Sequence, residues 1–127
     1  MIKKISELAE KNSKISDFHL RGGSDISYRL MGDIIIEKNS KVENKDIDDL
    51  LKNNCTDEET NIFKEKNELD CAVMLGSLRF RANFYKTLRG PAAVLRRIES
   101  KIPKMDSLNL PPVLFELADA SKGLVLV

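Results

Sequence analysis

The residues best equipped for chemistry in this sequence are arginines. Arg79 and Arg81 lie two apart in Leu78–Tyr85, a stretch that alternates apolar and polar side chains. Both therefore project from one face of a strand. Arg29 belongs to the polar side of a second alternating stretch, with Ser27 and Met31 against Ile26, Tyr28 and Leu30. Arg96 and Arg97 are adjacent, so in a regular strand they point to opposite faces and one can reach inward. A guanidinium keeps its charge at any working pH and offers a planar fork that fits phosphate or carboxylate. Arginines held on rigid strands can clamp an anion or charge a subunit interface. The competing reading is a charged sheet face balanced by acidic helices elsewhere in the chain.

The other reactive side chains offer less. His19, the sole histidine, shares the polar side of a strand with Asp17 and Arg21. Catalysis by a lone histidine needs a nucleophile and a shaped pocket, and no such set stands out. His19, Cys55 and Cys71 contain no pair at metal-ligand spacing, so no metal site is expected. Cys71 reads as core and Cys55 precedes a helix cap. Without a CxxC pair, thiol chemistry is not expected either. Gly22-Gly23 and Gly90-Pro91 punctuate turns. Neither GxxxxGK[ST] nor GxGxxG occurs in the chain, so these residues hold no nucleotide-hydrolysing loop.

Charge is unevenly spread. The formal net charge is +1, but residues 37–70 carry six basic and eleven acidic side chains. Residues 76–104 carry eight basic side chains and one acid, Glu99. A basic third in a near-neutral protein points to a local anion-binding or interface surface. Nucleic-acid binding fits poorly, because a recognition helix, RNP-like aromatics and a repeated basic face are all missing. The 127 residues, 42% of them hydrophobic, suit a globular domain of ordinary size. No window reaches the roughly 18 unbroken apolar residues of a membrane span. The N-terminus lacks the apolar stretch of a secretory signal. Two cysteines are too few for a disulfide framework, so a cytosolic protein is expected.

The elements that must position the arginines follow from periodicity. Residues 2–12 place Ile2, Ile5, Leu8 and Ala9 on one helical face. Strands are expected at 16–21 and 26–31, with a tight turn at Gly32-Asp33 into Ile34–Ile36. The acidic segment reads as two helices. Asn44 can cap the first, and Thr56-Asp57-Glu58-Glu59 is a capping box that starts the second at Asp57. Its acids suit the positive ends of helices and solvent, with no ligand required. Strands follow at Leu69–Leu75, Leu78–Tyr85 and Ala92–Ile98, joined by short turns and therefore antiparallel. An irregular connector runs from Ile102 to Leu110. Pro111-Pro112 opens a helix to about Ala120. Gly123–Val127 reads as a buried strand.

The order of these pieces resembles a family. Ser16-Asp17-Phe18-His19-Leu20 is similar to the SDLHL strand near the start of type IV pilus retraction ATPases of the PilT type. Tyr28-Arg29-Leu30-Met31-Gly32-Asp33 is similar to that family's YRIDGD hairpin. Glu68-Leu69-Asp70 and Arg79-Phe80-Arg81-Ala82-Asn83 resemble its ELD and RFRVN strands. Ala92-Ala93-Val94-Leu95-Arg96-Arg97-Ile98 resembles its AAV-x-R-x-I stretch. Leu108-Asn109-Leu110-Pro111 and Lys122-Gly123-Leu124-Val125-Leu126-Val127 resemble LGLP and RGLVLV. Met31, Asn109 and Arg97 depart from the pattern.

The resemblance implies an α+β fold: a PAS-like antiparallel sheet flanked by helices over residues 1–105. Residues 106–127 would then be a linker helix and a lone first strand of a RecA-like ATPase domain, cut just before its P-loop. It implies the N-terminal intersubunit and nucleotide-sensing domain of a hexameric motor for pilus retraction and twitching motility. The fragment itself would not be an enzyme and would hold no cofactor, whereas its parent would use ATP and Mg. By motif position, Arg29, Arg79, Arg81 and Arg96 would contact nucleotide phosphates or the neighbouring subunit. The implied partners are the ATPase domain of the next subunit in a homo-hexamer and an inner-membrane pilus platform protein. Neither nucleic acid nor a membrane span is implied, and the parent would be cytoplasmic, peripheral to the inner membrane. The alternative is a stand-alone PAS-like ligand-sensing or protein-docking module.

Overall fold

The computed structural model describes residues 1–99 and 102–126. Its elements are α1 (Ile2–Lys11), β1 (Ile15–Arg21), β2 (Asp25–Leu30), β3 (Asp33–Lys41), α2 (Asn44–Asn54) and α3 (Asp57–Lys66). They continue with β4 (Glu68–Leu75), β5 (Leu78–Thr87), β6 (Gly90–Ile98), a 3-10 turn (Met105–Leu108) and α4 (Val113–Asp119). The six strands form one sheet in the order β3-β2-β1-β6-β5-β4, every neighbouring pair antiparallel.

Alternation decides which face is covered. Phe18 and Leu20, Phe80, Ala82 and Phe84, Ala93 and Leu95, and Val73 and Leu75 turn to the helices and are buried. Ile5 and Ala9 of α1, Ile47, Leu50 and Leu51 of α2, and Phe63 of α3 meet them. Phe18 and Phe80 touch edge to face, with ring centroids 6.1 Å apart. Phe63 and Phe84 do the same at 6.4 Å. Truncating such a ring to Ala costs about 3–5 kcal/mol. The opposite face of the sheet carries the charged partners of the alternation and is left open.

Local chemistry sets the corners. Met31 and Gly32 both have positive φ, 52° and 100°, so they make the two-residue hairpin turn that joins β2 to β3. Thr56 caps α3 by accepting from the Glu59 N–H, and Glu59 reaches back to the Thr56 N–H. The α2 cap differs from expectation. Glu43 is the N-cap, and its N–H donates to Asp46 Oδ2 at 2.8 Å. Asn44 is already inside the helix, its side chain lodged between Gly22 and Gly90.

Two further expectations need correction. β3 extends well past Ile36 to Lys41, because its register slips against β2 between Asp25 and Ser27. Asn39 takes a left-handed turn there (φ 60°), and the Ser40 N–H and hydroxyl tie the bulge to Asp25 and Ile26. At the other end, residues 123–126 form no strand, and Leu124 and Leu126 are exposed. A strand exists only through hydrogen bonds to a neighbour, and no described strand pairs with this segment. Val127, the last residue of that expected strand, lies outside the described residues. The expected helix does form as α4, and it buries none of its residues. Every buried hydrophobic among the described residues falls between Ile5 and Leu95.

Candidate functional site

Strand register brings the arginines together. Arg29 of β2 pairs with Asp17 of β1, Asp17 with Arg96 of β6, and Arg96 with Arg81 of β5. Ile34 of β3 and Ala72 of β4 complete this rung across all six strands. Side chains that face each other across a rung share one face of the sheet, and this rung lies on the open face. Arg79 stands on the same face one rung away, opposite Met74 and Ile98. All four arginines singled out from the sequence thus fall on one surface.

Their partners differ. Arg96 Nε donates to Asp17 Oδ1 at 2.8 Å, while Arg29 Nε lies 3.6 Å from Asp17 Oδ2. Arg29 also donates from Nη1 to the Gly32 carbonyl at 2.8 Å. Arg81 grips Asp70 with two bonds, Nε to Oδ1 at 2.9 Å and Nη2 to Oδ2 at 2.7 Å. Arg79 forms no ion pair among the described residues. Asp17 is the anchor: its side chain is only 7% exposed, and the Ser16 hydroxyl donates to Oδ2 as well. Burial pushes its carboxyl upward, but the Arg96 and Ser16 hydrogen bonds and the Arg96 charge prevail and hold it below the usual range. The Arg81 hydrogen bonds hold Asp70 down in the same way, and Asp70 raises Arg81 in return.

This geometry ranks the arginines by free donors. Arg81 commits its Nε and Nη2 to Asp70. Among the described residues Arg96 commits only Nε, so both terminal nitrogens of its exposed head are free of them. Arg79 has its whole fork free of carboxylates among the described residues. Around this rung, four guanidiniums (Arg29, Arg79, Arg81 and Arg96) face the carboxylates of Asp17 and Asp70 and leave a cationic patch, which suits phosphate or an acidic neighbouring surface; Glu68, farther along the face, is bound by Asn83. Ile34, Ile36, Met74 and Ile98 add exposed apolar side chains on this face. Two open depressions, of about 350 and 220 Å³, lie against Arg79, Arg81, Asp70 and Arg96.

Arg97 is the inward member of its pair. Its side chain is 14% exposed and donates to the Ala9 carbonyl of α1 at 2.7 Å. It joins sheet to helix and stands away from the open face. His19 is half-buried, sits one rung from Asp17 opposite Val94 and Ser27, and its Nε2 finds no hydrogen-bond partner among the described residues. No group of three or more metal-ligating side chains occurs among the described residues. Among them no helix is long and apolar enough to cross a membrane.

The fold brings together two cysteines that no CxxC spacing links. Cys55 Sγ and Cys71 Sγ lie 3.1 Å apart, although 16 residues separate them in sequence. Burial raises both thiols, most strongly Cys71, and Glu59 adds to this. Spacing could not reveal the pair, because α3 folds back between the two residues.

No model of a known protein family matches the chain. Individual proteins do. Over 126 residues it is 33% identical to the type IV pilus retraction ATPase PilT of Pseudomonas aeruginosa, covering 97% of this chain and 37% of that protein. A twitching motility protein of Neisseria gonorrhoeae is 29% identical over 100 residues, 78% of this chain and 27% of that protein. Among solved structures, the pilus retraction motor PilT with bound ADP superposes with a TM-score of 0.77 at 27% identity. That match covers 92% of this chain and 34% of the motor. The Legionella pneumophila ATPase DotB shares the fold at a TM-score of 0.66 and 22% identity, over 91% of this chain and 33% of DotB. The chain spans about a third of the length of the relatives it matches.

Proposed function

We propose that this chain, an N-terminal domain of the PilT-type secretion ATPases, is the intersubunit and nucleotide-sensing part of a hexameric motor for type IV pilus retraction and twitching motility. The observation that carries the reading is the single rung Arg29–Asp17–Arg96–Arg81 on the open face of the sheet. A cationic face held on six paired strands is rigid and ready for an anion before the anion arrives, which is how preorganised charge acts on phosphate. In this reading residues 1–105 are the domain and residues 106–127 lead into an ATPase domain. That domain of the next subunit docks on the open face. ATP with Mg belongs to the parent protein. Arg96 and Arg79 reach phosphate most readily, and Arg29 and Arg81 shape the contact. The parent works in the cytoplasm against a pilus platform protein of the inner membrane.

The test uses the full-length parent protein. Arg79→Ala is the cleanest variant, because among the described residues it leaves no carboxylate unpaired. Arg79→Ala and Arg96→Ala are each expected to lower ATP turnover at least tenfold and to impair closure of the ring. Unchanged turnover and closure in both variants would overturn the reading. Arg96→Lys keeps a charge beside Asp17 but loses the fork. Intermediate turnover in that variant is expected if the fork matters.

A further inference from the structure

We propose that Cys55 and Cys71 are an oxidative modification site, closing an intramolecular disulfide when the protein meets a hydroperoxide. Three observations carry this. The sulfurs are 3.1 Å apart, so they need to close by only about 1 Å to reach the bond length of about 2.04 Å. Both backbones are held in place. The Cys55 N–H closes α2 on the Leu51 carbonyl at 2.9 Å, immediately before the Thr56 cap of α3. Cys71 sits in the β4–β5 ladder opposite Ala82. Both residues are also partly exposed, so a small oxidant can reach them.

The step balances with the peroxide as the named oxidant. The sulfur of Cys55, the less strongly perturbed thiol, attacks one peroxide oxygen and the O–O bond breaks. This yields a sulfenic acid and one water, the thiol proton leaving with the departing oxygen. The Cys71 sulfur then attacks the sulfenic sulfur. The S–O bond breaks, the S–S bond forms, and hydroxide leaves with the second thiol proton as another water. The two sulfurs together lose two electrons, and the peroxide gains them. A thiol reductant reverses the change by exchange. Because the resolving sulfur is already in contact, the sulfenic acid should not accumulate. The crosslink ties the α2–α3 corner to β4 at the residue next to Asp70, which holds Arg81.

The purified protein is treated with a small excess of hydrogen peroxide, blocked with an alkylating reagent, and analysed by intact mass and peptide mapping. The expected product is monomeric, lighter by two hydrogen atoms, with the Cys55 and Cys71 peptides joined, and is restored by dithiothreitol. Dimedone, which traps sulfenic acids, is expected to leave wild type unlabelled but to label Cys71→Ser at Cys55. Disulfide-linked dimers, sulfinic or sulfonic acids, or free thiols after a treatment that oxidises glutathione alongside would each overturn the proposal. The wild-type measurement stands whether or not the variant folds.

Discussion

Arg96 and Asp17, 79 residues apart in sequence, face each other across β6 and β1 with Nε and Oδ1 2.8 Å apart. The carboxylate is buried and the guanidinium head is mostly in solvent. Asp17 therefore depends on Arg96 more than Arg96 depends on Asp17, and that asymmetry shapes the first prediction.

The folded pKa of Asp17 is depressed, so the pair contributes stability above the unfolded value of about 3.9. That contribution is lost as pH falls from there through the folded value. Urea midpoints measured from pH 7 down to pH 2.5 are expected to drop in this window. Asp17→Asn is expected to cost about 1–2 kcal/mol at pH 7 and to flatten the acid limb. An equally steep acid limb in the variant would remove Asp17 from the explanation.

Adjacent arginines should fail differently. Arg97→Ala removes a charged donor from the Ala9 carbonyl and is expected to cost about 1.5–3 kcal/mol of stability. It should leave the chemistry of the open face intact. Arg97→Met keeps much of the buried stem and should recover part of the loss. Thermal melts of the two variants, beside ATP turnover in the longer motor protein proposed above, separate the roles. A turnover defect in a well-folded Arg97→Met protein would contradict this division.

Met31 occupies a left-handed turn position that suits Asn, Asp or Gly better than an unbranched apolar residue. It is also largely exposed, so it loses little packing when replaced. Met31→Asn is expected to stabilise the protein by about 0.5–1 kcal/mol. A lower denaturation midpoint in Met31→Asn would show that the turn is not the constraint described.

Gly22 and Gly90 flank the Asn44 side chain for different reasons. A Cβ at Gly22 would lie 1.7 Å from Asn44 Oδ1, whereas Gly90 also has a φ of 120°. Ala at either site is expected to destabilise by about 1–2 kcal/mol. Adding Asn44→Ala should rescue Gly22→Ala and leave most of the Gly90→Ala defect, because backbone strain survives removal of the side chain. A double-mutant cycle reads this directly. Equal rescue at both glycines would disprove the distinction.

Much of this is legible in the sequence alone. Alternation in Leu78–Tyr85 placed Arg79 and Arg81 on one face, and adjacency set Arg96 against Arg97. Those are local facts of strand geometry, and so is the Thr56 capping box. The carboxylates that hold the arginines were not legible. Asp17 meets Arg96 only through the β1–β6 ladder, and Cys55 meets Cys71 only after α3 folds back. No periodicity encodes contacts of that separation. The α2 cap is not legible either, because Asn44 is the residue that sequence favours as a cap, whereas in the fold its side chain lies against Gly22 and Gly90 and Glu43 takes the cap. The C-terminal apolar run looks like a strand from composition, which cannot supply the neighbour that a strand needs.

The sheet order also carries a consequence for how the chain is made. β1, β2 and β3 follow one another as a meander, as do β4, β5 and β6, and among the described strands the two are paired only through β1 with β6. Each half can zip up through short turns as it leaves the ribosome. The seam must wait until residues 90–98 have emerged, and closing it bears the loop entropy of most of the domain. The Arg96–Asp17 rung lies on that seam, so the arginine face comes into being only when β6 has docked on β1.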